Sequence, residues 1–326
     1  MDKLRWGLLS TARINGAVMP PLRLSKRSEL LGVASRDQAK AVAYANEWGL
    51  PRAYGSYAAL LADPDINVVY NPLPNHLHAA WSIAAAEAGK HVLCEKPLAL
   101  SVAEVDRVRA AARANQVVIA EAFMYRHHPQ TLKVLELLKN KPIGELLVIK
   151  GAFTFDLTPR PADIRWRPEW GGGSLWDVGC YPISYTRLIA QAEPVEALGW
   201  QMTSASGIDE VFVGQMRFAN GLLAQFECGF RSPYRTGLEV VGTHGALSIS
   251  TPFKPEGSAW ITLRYGDRIE QFEALGQELY QGEIEDMEQA VLEGKPPRIS
   301  LEDSRANVAL ICACLESART GQSVRL

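Results

Sequence analysis

The chain has 326 residues, 47% of them hydrophobic and 21% charged, with a formal net charge of −2. That length suits two domains of roughly 100–200 residues, and the composition supports a packed core. No basic excess exists to neutralise phosphates, which argues against nucleic acid as a partner, and no run approaches the ~18 apolar residues that span a bilayer.

Strand and helix signals alternate over residues 1–122. Apolar runs at Leu4–Leu9, Glu29–Ser35, Ile66–Tyr70, His91–Cys94 and Val117–Ala120 read as strands. Between them, Asn75–Ala88 reads as a helix that Asn75 can cap and Gly89 can end, and Ser101–Asn115 as another. Near-continuous apolar strands separated by helices predict a parallel, doubly wound sheet covered on both faces, which takes ligands beyond the carboxyl ends of its strands. The texture changes after His128-Pro129. A helix at Gln130–Lys139 precedes a long strand at Gly144–Asp156, and from Val195 strands follow one another: Val195–Met202, Val211–Phe218, Leu222–Phe230, Leu238–Val241, Ala246–Ser250, Ala259–Tyr265 and Arg268–Phe272. Asn220-Gly221 marks a hairpin between two of them and Gly266-Asp267 a weaker one. Leu301–Ala318 is a final helix. The expected fold is therefore α/β over residues 1–122, then an α+β domain over 123–326 with an open, mostly antiparallel sheet.

The first strand-to-helix turn is Ser10-Thr11-Ala12-Arg13-Ile14-Asn15, where a dinucleotide fingerprint would carry three glycines. Small residues still let a backbone approach a pyrophosphate, although an ordinary turn has the same look. After the second strand comes Ser35-Arg36-Asp37, where NAD enzymes place an acid for the ribose 2′-hydroxyl. A hydroxyl and a guanidinium suit a 2′-phosphate instead. The plainer alternative makes Arg36 a solvated loop residue and Asp37 a helix cap. Cofactor contacts are also expected from residues near other strand ends: Asn71, Pro72, Leu73, Asn75, His78, Glu95, Lys96 and Glu121.

Glu95-Lys96-Pro97 directly follows the fourth strand signal. Lys96 there can donate to a substrate oxygen, and Pro97 fixes the turn and suits a cis bond; an exposed lysine before a loop proline is the plain alternative. In Trp170-Gly171-Gly172-Gly173-Ser174-Leu175-Trp176-Asp177-Val178-Gly179-Cys180-Tyr181, three glycines feed a helix start. Asp177 and Tyr181, four apart, share a helix face and could grip neighbouring hydroxyls and move a proton. A Ser174–Asp177 capping box with Tyr181 packed away fits the same residues. Trp166, Trp170 and Trp176 suit either a core or a stacking floor for a ring. His76 and His78 face different ways and lack a third ligand, so no metal is expected. The five scattered cysteines contain no C-x-x-C pair, and residues 1–6 lack a leader's apolar run. Reduced thiols in the cytoplasm are the expectation.

Taken together, these motifs resemble the Gfo/Idh/MocA family, named for glucose–fructose oxidoreductase and inositol dehydrogenase. The resemblance spans essentially the whole chain. It rests on Glu95-Lys96-Pro97, on Gly172-Gly173 … Asp177-x-Gly179-x-Tyr181, and on Ala120-Glu121-Ala122-Phe123-Met124-Tyr125-Arg126-His127-His128-Pro129. It looks closest to the branch with NADP-dependent xylose dehydrogenase and dimeric dihydrodiol dehydrogenase. It implies an N-terminal Rossmann domain binding NADP in preference to NAD, and catalysis by Lys96 and Tyr181 with Asp177. Substrate contacts are expected from Arg126 and Trp166 as well, and a homodimer is expected through the second domain's sheet. The activity implied is hydride transfer to or from a carbinol carbon of a sugar or polyol, or its carbonyl form. Oxidation of trans-dihydrodiols is the enzyme alternative, and an NADP-binding sensor without turnover the non-enzyme one. The glycine-poor first turn departs from the family's common pattern.

Overall fold

A computed structural model of the chain describes residues 2–255, 259–274, 276 and 278–326. It divides into two compact units, Met1–Met124 with Tyr280–Arg305, and Tyr125–Leu279 with Ala306–Leu326.

The first unit is built on a six-stranded parallel sheet. Its elements run β1 (Leu4–Leu9), α1 (Asn15–Leu24), β2 (Ser28–Ala34), α2 (Gln38–Trp48), β3 (Arg52–Tyr54), α3 (Tyr57–Leu61), β4 (Val68–Asn71), α4 (Asn75–Glu87), β5 (His91–Glu95), α5 (Val102–Ala114) and β6 (Ile119–Ala122). The strand order is β3-β2-β1-β4-β5-β6, with every pair parallel. Order reverses between β1 and β4, so the carboxyl ends of those strands open a crevice at the switch point. Leu4, Trp6, Leu8 and Leu9 of β1 are fully buried, as are Val68, Val69 and Tyr70 of β4, which is why the strands read as unbroken apolar runs. Ser101, read from the sequence as the first residue of its helix, is instead the residue that caps α5 through its side chain. Asn75 does not cap α4: it is the first helical residue, and Pro74 at the cap makes no side-chain bond.

The residue 280–305 segment belongs with this unit, which the linear division at residue 122 does not anticipate. Its helix Gln281–Leu292 packs on α1 and β1. Glu288 there accepts hydrogen bonds from Ser25 and, at 2.6 Å, from Ser28.

The second unit carries a nine-stranded sheet. Its elements are α6 (Pro129–Lys139), β7 (Leu146–Asp156), a π-helical turn at Leu175–Gly179, α7 (Cys180–Ala190), β8 (Pro194–Thr203), β9 (Asp209–Phe218), β10 (Leu223–Gly229), β11 (Arg231–Gly242), β12 (Gly245–Ile249), β13 (Ala259–Tyr265), β14 (Arg268–Ala274) and β15 (Val324–Arg325). The order is β14-β13-β12-β11-β7-β10-β9-β8-β15. Only the β7–β10 pair is parallel among the strands described. Gly221, at φ 88°, turns the β9–β10 hairpin that Asn220-Gly221 predicts. One sheet face packs on α7. The other presents Trp200, Val213, Leu223, Trp260 and Ile269 to solvent. Among the described residues no helix is long and apolar enough to cross a membrane.

Candidate active site

Within the first unit, the expected cofactor residues follow the carboxyl ends of the strands. Ser10 leaves β1 with φ 130°, a backbone that glycine adopts freely and serine rarely does. The turn therefore keeps the glycine-like path of a nucleotide-binding loop without the glycine. Its carbonyl accepts from Asn15 Nδ2 at 2.8 Å, and its own Oγ is buried with no hydrogen-bond partner. Thr11, Ala12, Arg13 and Ile14 complete the turn, and α1 opens without a side-chain cap. A buried orphan hydroxyl beside an uncapped helix start is the donor chemistry that a phosphate needs. The residues present fit a dinucleotide.

At the end of β2, Ser35 is buried and its Oγ accepts from the Asp37 amide at 3.2 Å. Arg36 is exposed and stands beside the Tyr57 hydroxyl. Asp37 caps α2, accepting from the amides of Ala39 and Lys40. The carboxylate is thus engaged by a helix, and the donors next to it suit a phosphate.

The next edge is braced by its own residues. Asn71 is fully buried and donates to the His78 carbonyl and Ser82 Oγ, both at 3.1 Å. His78 Nδ1 lies 2.7 Å from the Pro97 carbonyl and Nε2 2.5 Å from that of Leu73. Burial pushes the imidazole down to about 4. The neutral ring has one N–H to donate, and its two nitrogens lie between the carbonyls of the Asn71-Pro72-Leu73 loop and of the turn after β5. That turn contains Lys96, and the Lys96–Pro97 bond is cis. Glu121 Oε1, from β6, accepts the Leu98 amide at 2.9 Å. Glu95 Oε1 accepts the Tyr70 hydroxyl at 2.5 Å. Lys96 therefore stands on a turn held from β4, α4 and β6. Glu283, on the helix Gln281–Leu292, is buried nearby, and burial together with Glu95 holds its carboxyl well above the usual range.

In the second unit the glycines do more than lengthen a loop. The turns Ile164–Trp166 and Pro168–Trp170 fold back so that the Gly172 amide bonds the Arg167 carbonyl at 2.9 Å and Gly173 bonds that of Arg165 at 3.0 Å. A Cβ on Gly172 would lie 2.5 Å from the Arg165 carbonyl oxygen. Ser174 does not form the alternative capping box. Its Oγ donates to Asp209 Oδ2 at 2.8 Å, and the Leu175 amide donates to the same oxygen at 2.6 Å. Burial pushes Asp209 up to about 6 against those bonds. A π-helical turn then passes directly into α7, and such wide turns recur at functional sites.

Asp177 on that turn is bound by Arg165, whose Nε lies 2.7 Å from Oδ2. Arg165 Nη1 also reaches Asp163 at 3.1 Å. Tyr181 is buried, with its ring against Phe153 (5.3 Å), Tyr125 (5.7 Å) and Phe253 (5.7 Å). Arg126 donates to Ser184 Oγ at 3.0 Å. Trp166 Nε1 donates to the Arg160 carbonyl and its ring meets Phe230 edge-on at 5.8 Å. Trp176 is buried core, whereas Trp166 and Trp170 stay half-buried. Among the described residues no group of three His, Cys, Asp or Glu could hold a metal. Arg165 and Asp209 escape a reading of the sequence. The one sits in a polar, proline-rich loop and the other opens an otherwise ordinary strand.

Residues 4–123 match the oxidoreductase family with an NAD-binding Rossmann fold, and residues 131–248 match the GFO/IDH/MocA C-terminal domain. A D-xylose 1-dehydrogenase (NADP(+)) of Haloferax volcanii is 38% identical over 99% of the chain and 100% of its own length. A trans-1,2-dihydrobenzene-1,2-diol dehydrogenase of Danio rerio is 31% identical over 76% of the chain and 74% of its own. Among solved structures, a 3-ketoreductase from Actinomadura kijaniata in complex with NADP and TDP-benzene superposes with a TM-score of 0.91. It is 31% identical, covering 97% of this chain and 98% of that one.

Proposed function

The chain belongs to the Gfo/Idh/MocA family of oxidoreductases, and from that premise we propose that it is an NADP(H)-dependent sugar or polyol dehydrogenase, or the reverse ketoreductase. The observation that carries this reading is the Asp177–Tyr181 turn. It puts an arginine-bound carboxylate and a phenol one turn apart, a pairing that can grip one hydroxyl and take the proton of its neighbour. When bound, the nicotinamide supplies the hydride acceptor or donor, the chemistry that side chains lack. Tyr181 takes the hydroxyl proton in oxidation and returns it in reduction. The Lys96 ammonium polarises the reacting oxygen, and an ammonium beside a phenol eases loss of the phenolic proton. Asp177 accepts from a neighbouring hydroxyl and fixes which carbon reacts, while Arg126 and Trp166 complete the substrate contacts. The test is formation of NADPH from NADP+ across a panel of aldoses, polyols and a trans-dihydrodiol. Turnover of the dihydrodiol alone would favour the alternative substrate, and binding of NADP without any turnover would favour a sensor.

Cofactor choice follows from the end of β2. Ser35 and Arg36 are the groups that hold the 2′-phosphate. NADP is expected to bind at least ~10-fold tighter than NAD, about 1.4 kcal/mol, and Arg36→Ala to abolish the preference. Titrating both cofactors checks this, and equal affinities in the parent protein would refute it.

The bare face of the second unit's sheet supports a homodimer. Trp200 is 52% exposed and Ile269 61%. Between such apolar residues lie the pairs Lys150–Glu239 and Arg235–Glu227. Apolar area interleaved with both charges suits a second copy of the same face related by a two-fold axis. Light scattering at micromolar concentration should give twice the chain mass, and Trp200→Glu should lower it to a monomer. A monomeric parent would overturn the assignment. The five free cysteines, four of them buried, fit a reducing, cytoplasmic setting.

A further inference from the structure

We propose that Arg165 is a positioning residue of the reaction, holding Asp177 ionised and aimed while its own carbonyl ties down the glycine turn on which Asp177 stands. This rests on the role just given to Asp177. Two separate bonds join Arg165 to that turn. Its Nε meets Asp177 Oδ2 at 2.7 Å, and its carbonyl accepts the Gly173 amide at 3.0 Å. A third contact leaves no slack, since Gly172 has room for no side chain against the same carbonyl. The guanidinium is in turn steadied by Asp163, which accepts Nη1 at 3.1 Å and also the Arg165 amide at 3.1 Å. Arg160 also approaches Asp163, at 3.6 Å. The loop 160–167 thus presents one cation to Asp177, locked at both ends.

That arrangement matters because the Asp177 side chain is only 13% exposed. A carboxyl so placed ionises readily only with a cation against it. The coupling is visible from the arginine's side, where Asp177 is the main cause holding the guanidinium above its usual range. Reciprocally, the guanidinium favours the carboxylate. The other ionisable groups around the turn differ in kind. Asp209, at the head of β9, takes Ser174 and Leu175. Cys228 on β10 lies behind Ser174. On α7, Cys180 donates toward the Asp177 carbonyl, and Tyr181 sits among aromatic rings. At the end of β7, Asp156 is engaged by Thr158. Arg165 is a cation bonded directly to the Asp177 carboxylate.

The sign follows from the pair. With Arg165 bonded to it, the Asp177 carboxyl is held in its charged form to lower pH. Without that cation, the carboxyl should protonate at a higher pH. The experiment compares Arg165→Met with the parent protein by kcat/KM for D-xylose and NADP+ from pH 5 to 8. Taking the ratio of variant to parent cancels every limb the two share. The ratio should fall about tenfold per pH unit below the raised midpoint, and Asp177→Asn should remove that dependence. Arg165→Lys keeps the charge but not the planar fork, so its ratio should stay level with pH while kcat drops. A merely structural arginine would lower all these values without a pH signature, and a pH-independent ratio for Arg165→Met overturns the proposal.

Thermal melts of the parent, Arg165→Met, Asp177→Asn and the double variant give a reading that needs no substrate. The pair's coupling should be present at pH 7 and shrink only below the ordinary carboxylate range, since a lowered carboxyl loses its contribution as pH falls through its folded pKa. If no sugar is oxidised but that coupling appears, the proposed function fails and takes Arg165's part in the reaction with it, while the Arg165–Asp177 ion pair stands. If the coupling is missing at pH 7, the assignment fails whatever the enzyme oxidises.

Discussion

Replacing Lys96 with methionine, or Tyr181 with phenylalanine, should each cut kcat by about 10²-fold or more, a loss typical of acid–base catalysis. Both changes are gentle on the fold. The Tyr181 ring packs against Phe153, Tyr125 and Phe253, and phenylalanine keeps those contacts while removing only the hydroxyl. Methionine keeps the length and apolar stem of Lys96 on a turn that Glu121 and His78 hold independently. A drop in turnover would therefore report lost chemistry. The roles proposed for the two residues imply coupling, because a phenol's ordinary pKa near 10 is a poor match for a base at neutral pH and an ammonium would help to bring it down. The double variant should then fall well short of the product of the single losses. NADPH affinity, read by fluorescence, should change little with Tyr181→Phe. The assay is kcat with the best sugar of the panel, and near-normal turnover by Tyr181→Phe would make the phenol structural and sink the assignment.

Lys96, Asp177 and Tyr181 stand out as candidates because their surroundings carry local signals: a strand end before proline, and glycines before a helix. The strands around them were legible for a related reason. β1 and β4 are buried on both faces, and an unbroken apolar run is the trace that leaves. What stayed hidden depends on residues far apart in sequence. Helix Gln281–Leu292 carries glycine at its second position and buries Glu283 and Glu288. A pattern reader places those carboxylates in water, yet Glu288 faces inward to accept Ser25 and Ser28. β3 is three half-buried residues, too short to show any period. Arg165 lies twelve positions before Asp177 and Asp209 thirty-five after Ser174, and no local spacing announces either. Ser174 illustrates the limit best. Three residues before an acid, it has the spacing of a capping box, but the structure gives its hydroxyl to Asp209 and gives Asp177 to Arg165. Tertiary partners rule out the capping box that the local sequence left open.

Gly173→Ala should be the most damaging single methyl in this region. Gly173 has φ 119°, a backbone that costs an L side chain about 1–3 kcal/mol. The methyl would also fall 2.1 Å from Asp209 Oδ1. Asp209 cannot simply step aside, because its other oxygen anchors Ser174 and Leu175. Either the turn shifts or the anchor breaks, and both move the start of the helix that carries Asp177 and Tyr181. A loss of roughly 3 kcal/mol or more in stability is expected, adding overpacking to backbone strain. Turnover should fall about 10²-fold, since misplacing catalytic groups by ~1 Å has that effect. The control is Gly221→Ala in the β9–β10 hairpin. Its φ of 88° is equally foreign to alanine, but a Cβ there meets nothing within 4 Å. That variant should lose only the backbone part, about 1 kcal/mol, and keep its kcat. Denaturant unfolding and kcat of the two variants, measured side by side, separate clash from strain. If Gly173→Ala behaves like Gly221→Ala in both measurements, the Asp209 anchor does not fix the turn that carries Asp177.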